Sequence, residues 1–144
     1  MAECRPVAFP FLSGISLEEG KSTPPMDCTI YQQLIGSLLY LTHSWPDICY
    51  AMNFVSRYMQ QPHGIHWKED KRILQYIQGT RTYGIHYVAD SELELVGYID
   101  FDWVGDSIDR ELTYRYVFMF GGGPISWSSK KHAVIELSSA KAEY

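Results

Sequence analysis

The sequence predicts an α+β chain in which three helices lead into an incomplete, mainly antiparallel sheet. Two observations carry that prediction. Between Asp27 and Gly79 the apolar residues recur every three to four positions, and from Leu93 onward the pattern changes to alternating aromatic and β-branched runs separated by glycine turns. Three segments follow: an extended lead-in over 1–26, a helical segment over 27–90 and a sheet segment over 91–144. The 144 residues, 46% of them hydrophobic and 20% charged, are enough to bury a core in one domain or two small ones, and nothing in the composition points to disorder.

Within the lead-in, Pro6, Pro10, Pro24 and Pro25 with Gly14 and Gly20 interrupt every possible helix or long strand. The first helix runs from Asp27 to Thr42, with Ile30, Leu34, Leu38 and Leu41 as its buried stripe and Ile35 and Leu39 widening it. Ser44, Pro46 and Asp47 open a second helix whose stripe is Ile48, Met52, Val55 and Met59; Pro62 and Gly64 close it. A third helix carries Trp67, Leu74 and Ile77 inward and Lys68, Lys71, Arg72 and Gln75 outward, and ends near Gly79. Asp70 falls on the inward side of that helix. A buried carboxylate without a partner is costly, so this residue is a local inconsistency.

Beyond Gly79, Tyr83 to Val88 reads as a short strand. Leu93 to Trp103 reads as a longer one, and alternation puts Asp100 and Asp102 on the same face about 6.5 Å apart. A carboxylate on a rigid strand is a support for a divalent cation, because Mg²⁺ uses one or two protein carboxylates plus water and substrate oxygens. Tyr114 to Phe120 and Pro124 to Ser128 give two more strands around a turn at Gly121 to Gly123, completing an antiparallel meander. The glycine run lacks a following Gly-Lys-Ser/Thr and opens no helix, which argues for a turn and against a phosphate loop. Lys130, Lys131 and His132 form a small basic patch beside Trp127 that could meet a phosphate backbone. Leu137 to Tyr144 reads as the Ser-capped first turns of a further helix.

The bulk properties narrow the function classes. A net charge of −5 is not that of a dedicated nucleic-acid binder, so any such binding is local. Cys4, Cys28 and Cys49, odd in number and without CxxC spacing, argue against a disulfide framework or zinc site. With no membrane-length apolar run and no signal-like N-terminus, the expectation is an intracellular, soluble chain in the cytoplasm or nucleus, without a membrane partner. No serine lies in a GxSxG elbow, and His63 and His66 are expected as surface or cap residues rather than metal ligands.

The succession YQQLIGSLLYL, PDICYAMNFVSRYMQQP, HWKEDKRILQYIQGT, LVGYIDFDWVGD, a DR pair, YVFMFGGGPISWSSKK and LSSAKAEY resembles the C-terminal part of Ty1/copia-type retrotransposon Pol polyproteins, over nearly the whole chain from about Pro6. The resemblance implies that the helical segment is the thumb and connection end of a reverse transcriptase, and that the sheet is the start of a ribonuclease H-like domain. The chemistry implied is two-metal hydrolysis of RNA in an RNA/DNA hybrid, with Mg²⁺ or Mn²⁺ as cofactor. Asp100 then matches the metal-binding aspartate of the first strand, and Glu143 the glutamate of the first helix; these are the catalytic and metal positions, and Lys130 and Lys131 the nucleic-acid-binding ones. The third acidic ligand would follow Tyr144, and the polymerase aspartates would precede Met1.

The chain also departs from the family pattern. Ile99 and Phe101 flank Asp100 where small residues are usual, and both are expected to crowd it. Glu111, Leu112, Tyr114 and Arg115 replace lysine, serine, serine and glycine; Lys141 replaces a glutamate, Glu136 a small apolar residue and Trp45 an arginine. The expectation is therefore a non-catalytic remnant of the polyprotein. The alternative is a metal-dependent ribonuclease H or hybrid-binding module completed by a second chain, which an open sheet edge would invite through self-association.

Overall fold

The computed structural model describes residues 4–12, 22–89, 93–102 and 113–131, with the backbone alone at 101, 102, 113 and 131. The chain divides into two compact units, Met1–Gly84 and Ile85–Tyr144. Helices occupy the first and an open antiparallel sheet the second, an α+β arrangement. Trp103, Glu111, Leu112, Glu136, Lys141 and the helix start expected at Leu137 to Tyr144 lie outside the described residues.

Helix α1 spans Cys28–Leu41. It starts there because Asp27, in an extended conformation, accepts from the Thr29 and Ile30 amides at 2.8 and 3.1 Å, satisfying two donors that the first turn leaves orphaned. Its buried face is Tyr31, Ile35 and Leu38. That corrects the expected stripe: Ile30 is 50% exposed and Leu39 is exposed, while Leu34 and Leu41 only flank the core. The helix is turned so that the Tyr31 ring goes inside, where its hydroxyl donates to the Val55 carbonyl at 2.9 Å.

The second helix is shorter than its stripe suggests. Pro46–Ile48 forms a 3₁₀ turn, α2 spans Cys49–Val55, and Ser56–Tyr58 is again a 3₁₀ turn. Ile48, Met52 and Val55 are buried together with Ala51, and Met59 packs against them.

Helix α3, Gly64–Gly79, begins at His63, whose backbone amide donates to His66 Nδ1 at 2.9 Å. The end of the lead-in straps this helix start in place. Gly64 N donates to the Pro24 carbonyl at 3.0 Å, Ile65 N to Thr23 Oγ1 at 3.3 Å, and Met26 N to the Pro62 carbonyl at 2.9 Å. His63 and His66 both serve as caps, the second of the two roles expected for them, and His66, 2% exposed and stacked on Tyr58, is not a surface residue.

Tyr83 to Val88 forms no strand. The run makes no ladder with the sheet but lies against its hairpin turn: the Tyr87 hydroxyl donates to the Pro124 carbonyl at 2.7 Å, with its ring against Gly123. A Cβ built on Gly123 would lie 2.6 Å from that ring. Gly123→Ala should therefore expel Tyr87, costing about 1 to 3 kcal/mol as overpacking does, and be read as faster amide exchange at Val88 and Gly123 than in wild type.

Strands β1 (Leu95–Asp102), β2 (Thr113–Phe120) and β3 (Gly123–Lys131) pair antiparallel in that order. Gly121 and Gly122, both at positive φ (56° and 77°), make the two-residue turn between β2 and β3, a conformation nearly reserved for glycine in tight hairpins. β3 starts one residue earlier than expected and runs through Lys131. A bulge between Phe118 and Met119 leaves Ile125 out of register and accommodates Pro124, which has no amide to give the ladder. On one face Tyr114, Tyr116 and Phe118 pack ring on ring, with centroids 5.5 to 5.6 Å apart.

Candidate functional site

Asp100 sits near the end of β1 as alternation requires, directly across the ladder from Arg115 of β2. Opposed residues of an antiparallel pair share a face with their Cβ atoms about 5 Å apart. An arginine there reaches the carboxylate, and Arg115 Nη1 lies 3.1 Å from Asp100 Oδ2, with the Asp100 side chain 64% exposed and that of Arg115 32%. Ile99 belongs to the other face, opposite Tyr116. The expected crowding of Asp100 by Ile99 is thus corrected: a guanidinium, not an aliphatic neighbour, meets the carboxylate.

The remaining expected site residues are not brought to this point. Glu143 and His132 lie outside the described residues. Lys130 is exposed on the face of the aromatic ladder, in register with Tyr114, while Asp100 and Arg115 belong to the opposite face with Ser129. Lys131 pairs through its backbone with Thr113. Among the described residues no three His, Cys, Asp or Glu side chains stand together as a metal cluster. A two-metal centre needs several carboxylates around ions about 3.5 to 4 Å apart. The described residues do not fit one, since the carboxylate that would start it is already engaged by a cation.

The helical unit holds a second concentration of polar chemistry that sequence reading caught only at Asp70. His66, Glu69 and Asp70 are all buried on α3, with Asp70 beside Tyr31 of α1 and His66 stacked on Tyr58. Asp70 is 0% exposed and neither carboxylate oxygen has a hydrogen-bond partner, because the one Tyr31 proton goes to the Val55 carbonyl. Burial pushes the Asp70 carboxyl up to about 7; the nearby Tyr31 hydroxyl pulls the other way and Glu69 adds to the push. Burial, and then Asp70, raises the Tyr31 phenol above its ordinary value. Burial likewise raises Glu69, against the attraction of Arg72 and Lys68. The signal for Glu69 was its place next to Asp70, and that for Tyr31 was its ring one position from the expected stripe. Both are weak signals in a single sequence.

No described helix is long and apolar enough to cross a membrane. The chain is 41% identical over all of its 144 residues to the retrovirus-related Pol polyprotein from transposon RE2 of Arabidopsis thaliana, of which it covers 10%. It is 36% identical over its whole length to the retrovirus-related Pol polyprotein from transposon TNT 1-94 of Nicotiana tabacum, covering 11%. To the secreted RxLR effector protein 161 of Plasmopara viticola it is 39% identical over 115 residues, 79% of this chain and 81% of that protein. The chain therefore spans about a tenth of the polyproteins it matches. No protein-family model and no solved structure matches it.

Proposed function

The chain belongs to the Ty1/copia-type retrotransposon Pol polyproteins, and within that family we propose that it is the stretch where the reverse transcriptase ends and the ribonuclease H-like domain begins, a remnant that does not hydrolyse RNA. The junction is supported by the order of the two units, a helical one up to Gly84 and then an antiparallel meander whose first strand is LVGYIDFD. The loss of hydrolysis is supported by one observation above all. Asp100, the position that would hold a metal, is a largely water-exposed carboxylate at the end of an open sheet, without two further acidic or imidazole groups around it among the described residues. Hydrolysis at neutral pH needs a metal-activated water, and a metal held by one exposed carboxylate is neither fixed nor shielded from solvent.

The test is incubation of the full chain with an end-labelled RNA/DNA hybrid in Mg²⁺ or Mn²⁺, beside Asp100→Asn and Glu143→Gln. The expected result is no cleavage above that of either variant. Cleavage abolished by both substitutions would overturn the reading.

That outcome would favour the second reading, a hybrid-binding or hydrolytic module completed by another copy. The outer edge of β1 favours it, because Leu95, Tyr98 and Ile99 are exposed there with no strand beyond them in the described sheet. Activity rising with the square of protein concentration would distinguish it.

A further inference from the structure

The ion pair at Asp100 has a consequence for cations that the loss of hydrolysis does not by itself require. We infer that Arg115 is a built-in counter-ion that takes the place of a divalent metal on Asp100 and keeps such ions off this face of the sheet. The inference rests on Asp100 being the inherited metal position.

The geometry supports substitution rather than coexistence. Arg115 stands directly opposite Asp100 in the β1–β2 ladder, so the backbone register, not a chance rotamer, brings the guanidinium to the carboxylate. Nη1 is 3.1 Å from Oδ2, within hydrogen-bonding reach. A guanidinium remains charged at every accessible pH, and its planar fork matches a carboxylate. A Mg²⁺ or Mn²⁺ ion would have to approach the same oxygens to about 2.1 Å in near-octahedral geometry, which brings two positive charges against one. The pair is exposed, so it contributes little to stability. Its effect on a dication is larger, because the repulsion of a guanidinium about 4 Å from a doubly charged ion corresponds to roughly thirtyfold in affinity even in bulk water. The arginine therefore matters for what the aspartate can bind more than for whether the sheet forms.

The experiment is a Mn²⁺ titration of the full-length, ¹⁵N-labelled chain followed by paramagnetic broadening of backbone amides. The variants are Arg115→Thr, Arg115→Lys, Arg115→Gln and the double variant Arg115→Thr with Asp100→Asn. In wild type and Arg115→Lys, the amides of Ile99 to Phe101 should broaden no more than amides elsewhere in the sheet. In Arg115→Thr the same amides should broaden selectively, at Mn²⁺ concentrations roughly thirtyfold lower than wild type requires, and the double variant should lose the effect. Arg115→Gln keeps the length of the side chain without its charge and should behave as Arg115→Thr does; it carries the test if threonine disturbs the strand. The inference is overturned if wild type broadens selectively around Asp100 at the same Mn²⁺ concentrations as Arg115→Thr, or if the neutral variants keep their sheet shifts yet gain nothing. Wild type that binds Mn²⁺ at Asp100 as readily as Arg115→Thr does, without cleaving a hybrid, sinks this inference and leaves the proposed function standing. Hybrid cleavage by a wild type that is silent at Asp100 does the reverse.

Discussion

Asp70→Asn should stabilise the helical unit strongly at pH 8 and hardly at all near pH 4. In the fold this carboxyl ionises near pH 7, against 3.8 for the free group, because it is fully enclosed, with Glu69 adding to the push and the Tyr31 hydroxyl offsetting only part of it. A folded-state value raised above the unfolded one means that the folded chain holds the proton more tightly. Stability is then fully present below pH 3.8 and is lost as the pH rises through 7. At about 1.4 kcal/mol for each tenfold difference in proton affinity, the cost at pH 8 is a little over 4 kcal/mol, and relaxation around the charge brings the expected gain for asparagine to about 2 to 4 kcal/mol. In a unit of this size that is at least 8 °C in Tm, at roughly 4 to 8 °C per kcal/mol. Thermal melts of both proteins between pH 4 and pH 8 check it. Two curves that run parallel across the range would mean that Asp70 is solvated or paired in solution.

The second large effect distinguishes two readings of one helix. Ile35→Ala should cost the helical unit about 2 to 5 kcal/mol, as deletion of a fully enclosed aliphatic side chain does, while Ile30→Ala should stay within about 0.5 kcal/mol. Ile35 is 0% exposed and belongs to the cluster with Tyr31, Leu38, Ile48, Met52, Val55 and Ile73; Ile30 is half exposed beside it. Denaturant midpoints with unchanged slopes provide the comparison. Equal losses would restore the stripe through Ile30, Leu34, Leu38 and Leu41 that periodicity suggests, and the buried position of Tyr31 would be wrong.

These two results bear on different levels of the molecule. The Asp70 experiment measures a defect, a charge-bearing side chain on a face that should be apolar, and the defect was visible as a break in the pattern of α3. Its partners were not visible, because Tyr31 and Val55 are distant in sequence and meet Asp70's surroundings only through packing. The Ile35 experiment measures a rotation of about one residue around α1. Two adjacent stripes, Ile30-Leu34-Leu38 and Tyr31-Ile35-Leu38, fit a 3.6-residue period almost equally well, and a periodicity argument cannot choose between them. The choice falls to the neighbours, which offer a buried carbonyl at Val55 to a phenol and nothing equivalent to an isoleucine.

What the sequence alone determined is local. Asp27 starts α1 because its carboxylate caps two amides, and Gly121 and Gly122 turn the β2–β3 hairpin because positive φ is inexpensive only without a Cβ. Each of these depends on residues within a few positions of one another. The tertiary structure alone decided that Tyr83 to Val88 stays outside the sheet, held by the Tyr87 hydroxyl, and that Asp100 faces Arg115 rather than a neutral neighbour. Both depend on how far the chain travels before it returns. The register of β1 on β2 is set across the segment between residues 102 and 113, and one step of slip would have put a tyrosine opposite the aspartate and its guanidinium neighbour on the other face.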